Sequence, residues 1–182
     1  MHTPGSWRTA ANALTLLRLL AAPALAYCIA TRADVAASLL FAVAVATDFA
    51  DGWLARRRGE ASPLGGLVDH AVDATFVTAG TAALAWTGVL PVVLPPLIAL
   101  AFAQYALDSR LLGRRGLRAS ALGRYNGIGY FVALGTPVIR DALGLAWPGA
   151  ALVQVLGWAF VATTLISVAD RLRLAFRARA TP

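Results

Sequence analysis

The chain has 182 residues, of which 59% are hydrophobic and 14% charged, with a formal net charge of +7. Soluble domains are about a quarter charged, so these proportions point away from a soluble fold and toward an integral membrane protein. The length allows one domain, 1–182, and no break in composition marks a second.

Crossing the hydrocarbon layer takes about 20 apolar residues in a helix. Six stretches meet that need: Ala11–Ala30, Val35–Leu54, Leu64–Trp86, Pro91–Leu112, Leu122–Ile139 and Ala150–Leu172. Their length, and the absence of short alternating segments, favours helices over a closed barrel. The expected fold is all-α, a bundle of six transmembrane helices joined by short connections. Such connections leave no room for an appended nucleotidyltransferase domain.

The first span contains "ANALTLLRLLAAP", in which Asn12, Thr15 and Arg18, spaced by three, lie along one face. Small residues in "APALAYCIA" offer a cleavage-site spacing, but Arg18 interrupts the apolar region a signal peptide needs, so the segment reads as a retained span. The single Cys28 rules out an internal disulfide and a cysteine-only zinc site.

The second and third spans flank "DFADGWLARRRGEASPLGGLVDHAVD", which holds four aspartates. Asp48 and Asp51 are three apart and Asp69 and Asp73 four apart, so each pair shares a helix face. Gly59 and Pro63 can end one helix and begin the next, giving an antiparallel hairpin. At about 1.5 Å per residue the two pairs lie at similar depth from the turn, so four carboxylates can converge. They repel one another and resist desolvation. No Lys, and no Arg within these two faces, is placed to neutralise all four. Hard divalent cations, Mg²⁺ or Mn²⁺, suit such a cluster, and two of them can clamp phosphate oxygens during an in-line displacement. Gly52, Ala55 and Gly65 interleave with the acids and allow close approach of a backbone or ligand, with Arg56 beside them. His70 points away from both neighbouring acids and reads as a packing or interfacial residue.

All sixteen basic residues are Arg, and their placement orients the bundle. With the N-terminus inside, thirteen fall on the cytoplasmic side, Arg32 and Arg140 fall outside, and Arg18 lies within the first span. That asymmetry places both termini in the cytoplasm. It also accounts for the net charge, together with attraction to anionic lipid head groups. There is no basic soluble domain to bind nucleic acid.

The aspartate segment resembles the signature of the CDP-alcohol phosphatidyltransferases, D-x2-D-G-x2-A-R-x8-G-x3-D-x3-D. Asp48, Asp51, Gly52, Ala55, Arg56, Gly65, Asp69 and Asp73 fill its eight fixed positions at every spacing. The resemblance extends to the six-span layout. It implies that a hydroxyl attacks the lipid-side phosphorus of a CDP-linked lipid, CMP leaves, and a phosphodiester forms at the inner face of a bacterial-type cytoplasmic membrane. It further implies that Asp48, Asp51, Asp69 and Asp73 hold two divalent cations and that Asp73 acts as general base. Gly52, Ala55, Arg56 and Gly65 would line the nucleotide and diphosphate pocket. Many members carry P-N-x-x-T followed by Arg in the first span; Ala11 replaces that Pro here, and Asn12 and Thr15 are nominated for the same pocket.

Acceptor choice turns on "DSRLLGRRGLRASALGRYNG". Arg110, Arg118 and Arg124 are candidates for holding a phosphorylated acceptor, since guanidinium forks match phosphate oxygens. Arg114 and Arg115 read as topology residues. Arg124 stands where glycerophosphate-using relatives often have G-K-x-x-T, but here the residues are "GRYNG", with neither the Lys nor the Thr. Glycerol 3-phosphate is the leading acceptor; inositol phosphate, serine, phosphatidylglycerol, or a diglyceride paired with a CDP-alcohol, are alternatives. Gly123 and Gly127 form a small-residue pair suited to helix packing, and the resemblance implies a homodimer. A cation transporter is the alternative from another class, though its acids would lie nearer mid-membrane on broken helices.

Overall fold

The computed structural model describes residues 10–58, 63–111 and 121–180, with side chains described for 15–50, 57, 65–107 and 122–174. Six helices follow one another: α1 Ala10–Ala30, α2 Asp34–Arg58, α3 Pro63–Trp86, α4 Leu94–Leu111, α5 Ala121–Ala142 and α6 Ala150–Ala180. There is no strand among the described residues. Most ends lie within a few residues of the apolar runs. The main departures are the C-terminal ends of α2 and α6, which continue into arginine-rich sequence. Arg, Leu and Ala are strong helix formers, so a polar composition ends the apolar run without ending the helix. At the start of α4, Pro95 and Pro96 occupy the first turn, where a missing N–H leaves no intrahelical bond unmade.

Three helices end in the same way. Beyond α1, Arg32 takes φ 59°, and Ala33 N donates to Cys28 O at 2.8 Å. Beyond α3, Gly88 takes φ 78° and Val89 N donates to Leu84 O at 2.8 Å. Beyond α5, Gly144 takes φ 62° and Leu145 N donates to Arg140 O at 3.0 Å. Each left-handed residue turns the chain so that orphan carbonyls of the last turn find donors. Two of the three are glycines, as that conformation favours; Arg32 carries a side chain there.

α1 packs against α2 and α3, α3 against α4 and α5, α5 against α2 and α6, and α4 against α6. Leu25, Phe76, Val77, Leu94, Ile98 and Leu134 are fully buried where these helices meet. Close approach depends on glycine at two crossings. A Cβ at Gly80 would meet Leu134 Cδ1 at 2.7 Å, and one at Gly135 would meet Phe41 Cζ at 2.5 Å.

Large apolar side chains also cover the outside of the bundle: Leu20, Phe49, Leu100, Ile128 and Ile166 are all exposed. A surface covered this way is what lipid, not water, accepts. By length and composition alone, one described helix, Ala150–Leu174, is long and apolar enough to cross a membrane; the apolar stretches Thr15–Ala30 and Leu94–Leu107 are shorter. Several hydroxyls within the helices donate to carbonyls of their own turn, as Thr81 does to Val77 O at 2.7 Å and Thr164 to Phe160 O at 2.6 Å. That satisfies them where no water is at hand.

Candidate active site

Short links make successive helices antiparallel. Early α1, late α2, early α3, late α4, early α5 and late α6 therefore gather at one end of the bundle. Asp48 comes from late α2, and Asp69 and Asp73 come from successive turns of early α3. One carboxylate oxygen from each of the three lies within 4.8 Å of the others. The carboxylates converge as their spacing predicts, but among the described residues α2 and α3 pack little against each other, unlike the expected hairpin, and α1 packs against both. The side chain of Asp51 falls outside the described residues.

α1 packs against both α2 and α3, and Arg18 reaches from it to acids on each. Its Nη1 lies 3.1 Å from Asp48 Oδ1 and 3.0 Å from Asp69 Oδ1, and it also donates to Asp73 Oδ1. The Arg18 side chain is 0% exposed, whereas Asp48 and Asp69 are 36% and 37% exposed. The guanidinium thus sits behind the acids, and the acids face outward. The sequence reading expects a cation for the cluster only from outside the chain; the protein supplies one from α1, 51 residues before Asp69 and 55 before Asp73.

The donor set fits a divalent metal. It consists of three hard, anionic oxygens, and one cationic atom of Arg18 already contacts all three at once.

Asp48 and Asp73 open onto a cavity of about 990 Å³. Its polar end carries Asp48, Asp73, His70, Tyr105, Arg124 and Arg171, and its walls run through Phe41, Phe102, Phe131, Val132 and Ile139 as far as Trp147. His70 sits against Phe102 and Tyr105, with centroids 4.8 and 4.6 Å apart, and so serves both as packing and as wall. Arg171 lies over the Tyr105 ring, Cζ 5.6 Å from its centroid, a cation–π contact that holds the guanidinium at the mouth. In the cavity wall, Tyr130 OH lies 2.6 Å from Thr164 Oγ1 and ties α5 to α6. The Thr164 hydroxyl also donates to Phe160 O at 2.6 Å.

The other nominated residues divide by position. Thr15 is buried one turn before Arg18 on α1. Asn12 lies on the same helix, Gly52, Ala55 and Arg56 on α2, and Arg110 on α4, all with side chains outside the described residues. Arg118 lies outside the described residues altogether. Gly65 is exposed near the start of α3, and Arg124 is exposed and lines the cavity. Arg171 and Tyr105 were not singled out as site residues. Both belong to helices distant in sequence from the aspartates, and no local spacing connects them.

A family model described as CDP-alcohol phosphatidyltransferase matches residues 8–169. The cardiolipin synthase (CMP-forming) of Streptomyces coelicolor is 30% identical over 161 residues, covering 84% of this chain and 74% of that protein. A CDP-diacylglycerol–glycerol-3-phosphate 3-phosphatidyltransferase of Cereibacter sphaeroides is 31% identical over 132 residues, 68% of this chain and 60% of that protein. A cardiolipin synthase (CMP-forming) and mitochondrial hydrolase fusion protein of Schizosaccharomyces pombe is 38% identical over 90 residues, 50% of this chain and only 15% of that protein. No solved structure gives a significant match. With the aspartate motif filled and the match running through nearly its whole length, the chain belongs to the CDP-alcohol phosphatidyltransferase family.

Proposed function

We propose that the protein transfers a phosphatidyl group from CDP-diacylglycerol to an alcohol bearing a phosphate, with release of CMP. The acceptor oxygen bonds to the lipid-side phosphorus, the bond from that phosphorus to the oxygen of CMP breaks, and the hydroxyl proton leaves. The observation that carries this reading is the convergence of Asp48, Asp69 and Asp73, two of which, Asp48 and Asp73, line one end of a largely apolar cavity. A diphosphate at the mouth leaves its acyl chains facing hydrocarbon.

In this reading Asp48, Asp51, Asp69 and Asp73 hold two divalent cations, Mg²⁺ or Mn²⁺. When bound, the cations neutralise charge building on the diphosphate oxygens. Asp73, the least exposed of the three described acids, accepts the hydroxyl proton. As a carboxylate among cations it is a weak base, so orientation of the hydroxyl contributes more than proton abstraction. Gly52, Ala55, Arg56, Gly65, Asn12 and Thr15 surround the nucleotide and diphosphate. Arg124 and the Tyr105-braced Arg171 hold the acceptor's phosphate, with Arg110 and Arg118 as further candidates.

The whole of 1–182 acts as one domain, six helices crossing a bacterial-type cytoplasmic membrane with both termini and the site on the inner side, in a homodimer. Glycerol 3-phosphate and phosphatidylglycerol both present a hydroxyl near a phosphate. The first is the leading acceptor, and the apolar walls of the cavity favour the second as the alternative. The test is CMP release by purified protein with CDP-diacylglycerol and Mg²⁺ across a panel of alcohols. Turnover with either phosphate-bearing acceptor, and not with serine, supports the proposal. Turnover with serine alone, or with a CDP-alcohol and diglyceride, overturns it.

A further inference from the structure

We infer that Arg18 is a resident counter-cation that competes with a divalent metal for the point where Asp48, Asp69 and Asp73 converge. The inference rests on those acids being metal ligands. A single nitrogen of Arg18 touches an oxygen of each acid, and those oxygens lie within 4.8 Å of one another. A second cation cannot share that point, because two positive charges in contact repel strongly in a site of low dielectric. Arg18 cannot yield by losing its proton, since a guanidinium stays charged at any working pH. It can yield only by moving. The placement of the groups allows this: the three acids belong to α2 and α3, while Arg18 hangs from α1 on its own flexible stem.

The same contact has a second effect. Three carboxylates brought together between helices repel, and removing the charge that compensates them is strongly destabilising. Arg18 therefore holds the ligands in register, and metal entry exchanges a charge of +1 at that point for one of +2. The metal is held more loosely than three carboxylates alone would hold it.

The test compares the wild type with Arg18→Gln in detergent. Mn²⁺ affinity is read from the paramagnetic resonance signal of free Mn²⁺, and thermal unfolding is followed with Mn²⁺ or with a chelator. Competition predicts that R18Q binds Mn²⁺ about tenfold more tightly. It also predicts a lower Tm than wild type in chelator, with a wider gap between the chelated and Mn²⁺-loaded forms. Saturable Mn²⁺ binding by the wild type with equal or weaker binding by R18Q overturns the inference and leaves the metal centre standing. No binding by either protein overturns both. If R18Q does not fold, phenylglyoxal modification of the wild type, mapped by mass spectrometry, serves instead. Mn²⁺ should raise labelling of Arg18 several-fold, and unchanged or reduced labelling contradicts displacement.

Discussion

Replacing Asp69 with Asn preserves volume and one oxygen but removes the charge that makes the group a metal ligand. Loss of an outer partner of a metal ligand costs roughly 10–100-fold in activity or affinity, so losing a ligand itself should lower CMP release by more than about a hundredfold. The detergent-solubilised protein should stay folded. Arg124 belongs to a different class of effect, because it is exposed and lines the cavity from α5, a helix that carries none of the acids. Arg124→Ala should raise the apparent KM for a phosphorylated acceptor about tenfold while leaving kcat nearly unchanged, the loss of one charged hydrogen bond. A KM equal to wild type would make it a topology residue only. The aspartates could be found in the sequence because their spacing within each helix is the geometry that matters. Arg18 was visible as an oddity, a charge inside a span, but its partners were not. They lie on two other helices, and which face of α1 meets each of them is a property of packing.

The helices themselves were legible from apolar run length, and the misjudged ends have a common cause. Run length measures where lipid contact stops, whereas helix ends follow backbone propensity and capping, so α2 and α6 outlast their apolar stretches. The turns give opposed predictions. Arg32 holds a left-handed conformation that costs a side-chain-bearing residue about 1–2 kcal/mol, so Arg32→Gly should raise Tm. Gly135→Ala should lower it, by about 1–3 kcal/mol of stability, since a Cβ there would meet the Phe41 ring. Thermal unfolding in one detergent checks both. Two shifts of the same sign would mean that the α2–α5 crossing or the α1 turn is not built as described.

At the scale of the molecule, the alternation of the described helices brings Arg18, Asp48, Asp69, Asp73, Arg124 and Arg171 to one end, the end expected to face the cytoplasm, while Arg140 lines the cavity from late α5. That expectation came from counting arginines, and it can be checked with cysteines, because Cys28 is the chain's single native one. In a Cys28→Ser background, Ala146→Cys, exposed beyond α5, should react with a membrane-impermeant maleimide on intact cells. Arg57→Cys, exposed late on α2 beyond the acids, should react only after permeabilisation. The reverse pattern would invert the orientation.

The central claim is that a metal-loaded carboxylate cluster drives transfer from a CDP-linked lipid. It is tested most directly by CMP release from CDP-diacylglycerol with wild type and Asp69→Asn side by side, in Mg²⁺ and after chelation. The account predicts wild-type turnover that vanishes on chelation and returns with Mg²⁺, and none from the folded variant under either condition. Wild-type turnover that survives chelation, or a variant that keeps most of its activity, would contradict it.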